Sequence, residues 1–568
     1  MKLDQTSHLR DHPYSIVHWR WFADKCTIQL FKLTVGYIMK TGLKRLAAYF
    51  STSNLVTLRS MLVTLLMVIL VAGCAVNPVT GKNELSLVSE QSEIRIGSKQ
   101  YLPTQQSQGG LYTVDEGLSQ YVNDVGQRLA KVSDRQLPYE FVVLNDSVPN
   151  AWALPGGKIA VNRGLLLRLG SEAELAAVLA HEIVHAAARH GAKTIERGTI
   201  LQGALTAASI SLEKNQTRNG NMVMEGANLG AQLISQGYSR SAELEADYFG
   251  ILYMARAGYD PNAAVSLQET FVLLSESRKQ NWLSGLFASH PPSQERVDRN
   301  RQTVLELEKT VRGDFETGAD RYQKKLTYLA SKSEAYLAFD KARQAADAGN
   351  YTEADRQIRA AIKGEPKEPR FRGLQGDIAY QQNQYDAAIS HYNTALKTDP
   401  NYYGYYLGKG LVLMKIGKIQ AARSDLKKSN QLLPNATATN ALGEISLQKG
   451  DKETAKEYFR AVMNGSGSLA DTAKQHFITL DIEQNPKSYI DVQTSVRDQE
   501  IILQVTNSTP LEISRLAIAI RIESQGKSTE KTLLLNDLQG YERQLLQTGI
   551  RPKASIPIAI ATRLKASL

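Results

Sequence analysis

Cysteine is almost missing from these 568 residues. Only Cys26 and Cys74 occur, which excludes a disulfide framework. No basic run with interleaved aromatics occurs either. The net charge of +10 is unevenly placed: residues 1–73 hold nine Lys/Arg against three Asp, which leaves about +4 for the other 495 residues. So mild a balance argues against a nucleic-acid partner. The apolar run Met61–Ala72, even extended to Val76, falls short of the ~18–20 residues that a membrane-spanning helix needs.

What that run has is a basic flank (Lys40, Lys44, Arg45, Arg59) and small residues before a break at Gly73-Cys74. This is the pattern of a secretory signal. "VAGC" (71–74) resembles a lipobox with Val where Leu is usual, which implies an acylated Cys74 as the mature N-terminus. Ala75 in place of Asp resembles the outer-membrane sorting pattern. Residues 1–73 are therefore expected to be a signal peptide, over-extended at its start, with Met39 or Met61 as the true beginning. The expected product is a lipoprotein on the periplasmic side of the outer membrane, held through its lipid anchor. An uncleaved inner-membrane anchor or a periplasmic form is the alternative.

The length allows several domains. Residues 74–332 combine a turn-rich N-terminal tether with helical periodicity and short strand-like pieces at 139–146 and 157–164. Residues 333–480 read as helical throughout. In them Pro366, Pro400 and Pro434 stand 34 residues apart, and Ala354, Ala388, Ala422 and Ala455 recur in register. A 34-residue period with small residues at helix contacts resembles tetratricopeptide repeats, which stack into a solenoid with a concave binding face. Stacked in this way, the repeats are expected to touch the rest of the chain at one end only. Residues 489–568 alternate apolar and polar residues between turn signals, as in a small β-sandwich. The expected fold is multidomain: a mainly helical α+β domain, an α-solenoid and a β-rich C-terminal domain.

Chemistry is concentrated in "HEIVH" (181–185). Ser171 and Glu174 form a capping box, so the motif sits inside one helix that is expected to end at Gly191 as C′ residue. His181 and His185, at i and i+4, share a face and can bind one ion, while Glu182 can take a proton from water. Two surface histidines are the bland alternative. A catalytic zinc usually has three protein ligands. Glu243 in "YSRSAELEADYFG" (238–250) can be the third, with Asp247 one turn on able to hold a ligand histidine. Glu245 is expected on another face.

HEIVH followed by Glu243-x-x-x-Asp247 resembles the gluzincin family M48. "NAWALPGGKIAVNRGLL" (150–166), "HAAARH" ending at His190, "SHPPSQERV" (289–297) and "NPVTGKNELSLVSE" (77–90) extend the likeness across about 77–300. The resemblance implies one Zn2+ held by His181, His185 and Glu243, with Glu182 as general base in peptide hydrolysis. It also implies His290 and Arg296 near the zinc, either able to stabilise an oxyanion. His290 could instead plug the open zinc position, or be a plain turn residue. His190 could stabilise the helix end as a cation. "GGKIAVNRG" (156–164) reads as an edge strand beside the cleft, where extended substrates can add. Residues 195–237, rich in Gly, Ala and Asn, read as a lid or a helical hairpin.

The expected function is zinc endopeptidase activity on unfolded or misassembled envelope proteins, with the repeats contacting outer-membrane assembly machinery. A repeat-based chaperone or scaffold with a largely silenced zinc site is the alternative.

Overall fold

The computed structural model describes residues 74–198, 237–276, 284–311, 313–498, 500–524, 527–550 and 558–567. The expected signal peptide and most of the 195–237 segment lie outside the described residues. From Val76 onward the described residues form one compact unit. Of the preceding stretch only Cys74 and Ala75 are described, at the start of a short strand, Cys74–Val76. Among the described residues no helix is long and apolar enough to cross a membrane.

The motif-bearing region begins with helices α1 (Glu90–Ser107) and α2 (Glu116–Ala130). A three-stranded sheet follows: β1 (Glu140–Leu144), β2 (Ala151–Leu154) and β3 (Lys158–Asn162). The strand order is β1-β3-β2, with β3 parallel to β1 and antiparallel to β2. This corrects the edge-strand expectation for 156–164. Those residues supply the central strand; among the described residues β1 and β2 are the outer strands, and Leu111 bridges to Leu144 of β1. All five residues of β3 are buried, as a strand covered on both faces must be.

Helix α3 (Glu172–Ala187) carries the motif. Ser171 Oγ accepts the Glu174 N–H at 3.1 Å, and Glu174 Oε2 in turn accepts the Gly170 N–H at 2.6 Å. The helix ends before Gly191. Ala188 is its cap and Arg189 takes the left-handed conformation at φ 65°, after which residues 190–198 resume as helix. A non-glycine residue there costs roughly 1–2 kcal/mol, and its side chain gives the compensation. The Arg189 guanidinium pairs with Glu93 at 2.5 Å and hydrogen-bonds Ser86 and the Val88 carbonyl. Asn77 donates to the Ala188 carbonyl, and Arg135 to that of Ala186. The expected tether is thus packed onto the end of the motif helix.

Helices α4 (Arg240–Arg256) and α5 (Asn262–Glu276) pack against α3, and α6 (Gln294–Thr310) packs on both of them. Gly250 of α4 faces α3, where a Cβ would stand 3.3 Å from the His181 backbone nitrogen, so the two helices close tightly at the motif. Helix α7 (Ala319–Ser331) leads into four helix pairs. These are α8/α9 (Ser333–Asp347, Tyr351–Gly364), α10/α11 (Pro369–Gln381, Tyr385–Thr398), α12/α13 (Tyr403–Lys415, Ile419–Leu432) and α14/α15 (Ala436–Gln448, Lys452–Val462). Each turn within a pair contains one left-handed residue, Gly349, Asn383, Gly417 or Gly450. Ala354, Ala388, Ala422 and Ala455 are fully buried. Helix α16 (Ser468–Asp481) follows the last pair.

Two three-stranded antiparallel sheets end the chain. One contains β4 (Ile490–Arg497), β5 (Glu500–Asn507) and β8 (Arg543–Gln547); the other contains β6 (Ile513–Ser524), β7 (Lys527–Leu538) and β9 (Ile558–Ser567). Both contribute to one core with Leu503, Val505, Ile518 and Ile520, and Ile478 and Ile482 join it from the end of the helical region. This is a sandwich-like β domain resting on the solenoid's last helix.

Candidate metal centre

Helix α3 brings His181 and His185 to one face, with their Nε2 atoms 3.0 Å apart. Helix α4 delivers Glu243, whose carboxylate oxygens lie 3.5 Å from His181 Nε2 and 3.4 Å from His185 Nε2. His290, after the short helix Ser284–Ser289, presents Nδ1 at 3.3 Å from His181 Nε2 and 3.1 Å from Glu243 Oε1. The ligand atoms of all four residues fall within 4.8 Å of one another. At ~2.0–2.1 Å from a tetrahedral ion, neighbouring ligand atoms stand roughly 3.3 Å apart. The observed 3.0–3.5 Å matches that spacing.

The surroundings are formally anionic, with Glu182, Glu243 and Asp247 against the single guanidinium of Arg296 in and beside the cluster. Burial disfavours a charged His181, but Asp247 and Glu243 outweigh it and raise its pKa to about 10. Burial likewise opposes ionisation of Glu243, yet His290 and His181 hold it well below the usual carboxylate range. His185 is driven down, chiefly by burial. The donor set and its charge therefore suit a divalent cation.

Asp247 accepts from His181 Nδ1 at 2.9 Å, which leaves Nε2 for the cluster. Arg296 grips Asp247 with two bonds of 2.6 and 2.7 Å, approaches Glu243 at 3.0 Å and donates to the Pro291 carbonyl. Its donors are thus engaged with protein groups, unlike those of a free oxyanion donor. Glu182 is buried. One of its oxygens lies 3.5 Å from His290 Nε2, and the other has no hydrogen-bond partner among the described residues. Burial raises the Glu182 pKa, and His290 and His181 oppose that rise. A narrow cavity adjoins these groups, with Val178, Leu267 and Phe271 on its apolar side.

Residues 117–304 match the profile of Peptidase family M48. Residues 339–403 and 436–464 match tetratricopeptide repeats. The chain carries an M48 peptidase domain followed by tetratricopeptide repeats. The Beta-barrel assembly-enhancing protease of Escherichia coli (strain K12) is 26% identical over 368 residues, covering 60% of this chain and 74% of that protein. The Putative beta-barrel assembly-enhancing protease of Vibrio cholerae serotype O1 is 34% identical over 193 residues, 33% of this chain and 39% of that one. Mitochondrial metalloendopeptidase OMA1 of Schizosaccharomyces pombe is 38% identical over 192 residues, 33% and 53% respectively. Family and donor set together make the M48 domain a metallopeptidase.

Three contacts around His185 are not legible in the sequence. Tyr238 stacks on the His185 ring, centroids 3.9 Å apart. His190 Nδ1 lies 2.8 Å from His185 Nδ1, and Glu245 lies 3.1 Å from His190 Nε2. The "HAAARH" spacing was visible, but its reading as a helix-end cation missed this contact.

Proposed function

We propose that this protein is a zinc-dependent endopeptidase of the bacterial cell envelope that cleaves unfolded or misassembled outer-membrane proteins. The supporting observation is the buried oxygen of Glu182, unpartnered among the described residues, beside a four-residue donor cluster. His181, His185 and Glu243 hold the zinc. Bound there, zinc supplies Lewis acidity toward water and the scissile carbonyl. Glu182 takes the proton of the attacking water and passes it to the leaving amine. Asp247, itself held by Arg296, fixes the His181 tautomer. An extended substrate pairs with the outer edge of β2, so cleavage depends on unfolded backbone more than on side-chain identity.

The repeats capture clients or assembly partners. Their groove, a cavity of about 420 Å³, is lined by Phe339, Tyr351, Tyr380, Tyr392, Tyr402 and Tyr405 among others. An acylated Cys74 anchors the chain at the outer membrane, and the mass of the mature N-terminal peptide tests that point. The names of the E. coli and V. cholerae relatives support the β-barrel context.

Glu182→Gln is expected to keep its zinc and to lose casein cleavage by at least ~10²-fold, the scale of a lost general base. His181→Ala and Glu243→Ala are expected to lose zinc as well. Full activity in Glu182→Gln would overturn the assignment. A second reading, a scaffold with a silenced site, is favoured by one observation: His290 takes the fourth corner of the cluster, and a closed site is structural rather than catalytic.

A further inference from the structure

We infer that His190 and Glu245 are positioning residues for the metal ligand His185, acting through a hydrogen-bond relay that ends on a carboxylate. The inference rests on the zinc-site reading above and adds two residues to it.

His185 directs Nε2 at the cluster, 3.0 Å from His181 Nε2 and 3.4 Å from Glu243. A ligating nitrogen bears no proton, so the ring proton of His185 sits on Nδ1. That atom lies 2.8 Å from His190 Nδ1, which must accept and therefore also bears no proton. The His190 proton is then on Nε2, and Glu245 Oε1 waits 3.1 Å away to accept it. Each nitrogen has one role and every role has a partner. In this arrangement His190 accepts from His185 and donates to Glu245.

The fold is built to make this contact. Arg189, left-handed and held by Glu93, Ser86 and Val88, turns the chain so that His190 comes back beside His185. Gly191 lets the next turn approach Pro155, whose Cγ would stand 3.1 Å from an added Cβ. His190 is buried, at 4% exposure, and Tyr238 covers the His185 ring plane. One segment of α4 thus serves both histidine ligands: Asp247 holds His181 directly, and Glu245 holds His185 through His190. Glu245 does point away from Glu243, toward a histidine that lies beyond the motif helix.

The test uses the full chain, with zinc as probe in competition with a chelator and cobalt as spectroscopic substitute. His190→Ala and Glu245→Ala are expected to weaken zinc binding about 10- to 100-fold, the usual effect of removing an outer hydrogen-bond partner. Glu245→Gln keeps an acceptor without the charge and is expected to recover part of that loss. The visible bands of the cobalt protein are expected to shift in Glu245→Ala, which general destabilisation would not produce. Should His190→Ala fail to fold, the Glu245 variants decide, since that side chain is 22% exposed. Zinc affinity within twofold of wild type in Glu245→Ala, with His181→Ala still losing zinc, overturns the relay alone. A wild-type chain that binds no zinc overturns the site reading beneath it.

Discussion

His290 stands where it could govern access to this site. Its Nδ1 stands among the donor atoms of His181 and Glu243, and its Nε2 faces Glu182. The plug role proposed for it would exclude both water and a substrate carbonyl from the fourth corner. His290→Ala is therefore expected to raise the rate of casein cleavage at unchanged zinc content. A fall of roughly 10²-fold would assign an oxyanion-donor role instead, and an unchanged rate would dismiss both. At this scale the sequence was informative wherever spacing on one helix decided proximity. His181, His185, Glu243 and Asp247 follow from the i, i+4 rule applied twice. Glu245 could not be found that way, because its partner reaches it through a left-handed arginine that no local pattern announces.

The motif helix is held at both ends by charge. At its start Glu172 is buried and accepts from Tyr121 at 2.6 Å, Tyr259 at 3.0 Å and Arg321 at 2.6 Å. Burial would raise this carboxyl, but Arg321, Tyr121 and Tyr259 together hold it below the ordinary range. A depressed folded pKa stabilises above the unfolded value of 4.5, and that stability is lost as pH falls through the folded pKa. Glu172→Gln is expected to lower stability at neutral pH by ~1–3 kcal/mol, leaving buried donors poorly matched. Thermal melts of the two proteins should converge as the pH drops below the carboxylate range; a constant gap would refute the linkage. The capping box at this end was legible from Ser171 and Glu174. The helix's far end was not, because Gly191 serves the approach to Pro155 rather than the left-handed turn. The sheet order was hidden for a related reason. Strand pairing is non-local, and nothing within 156–164 says which neighbour lies on either side.

On the scale of the whole molecule, the repeats contact the peptidase region at several points rather than at one end. Tyr336, Phe339 and Phe371 belong to the same core as the motif helix. The Arg163 guanidinium lies 3.5 Å above the Tyr336 ring. Asn145 donates to Glu368 at 2.9 Å, and Arg370 to the Gly109 carbonyl at 2.6 Å. Gln106, near the end of α1, bonds both the Asn401 carbonyl and the Tyr403 N–H. The 34-residue period was legible because each repeat solves the same local problem. Its docking was not, since contacts between distant segments leave no mark on the spacing within a repeat. Burial of each aromatic side chain is worth ~1.5–3 kcal/mol, against a typical total stability of ~5–15 kcal/mol. A chain cut at 332 is therefore expected to aggregate or to melt ~10 °C or more below the full chain, at ~2–4 °C per kcal/mol. A chain cut at 434 keeps every contact named here and is expected to melt within a few degrees of the full chain, with its zinc retained. If both truncated chains melt alike, the repeats are a separable attachment. If only the shorter one collapses, the first three repeats support the metal site as well as any client.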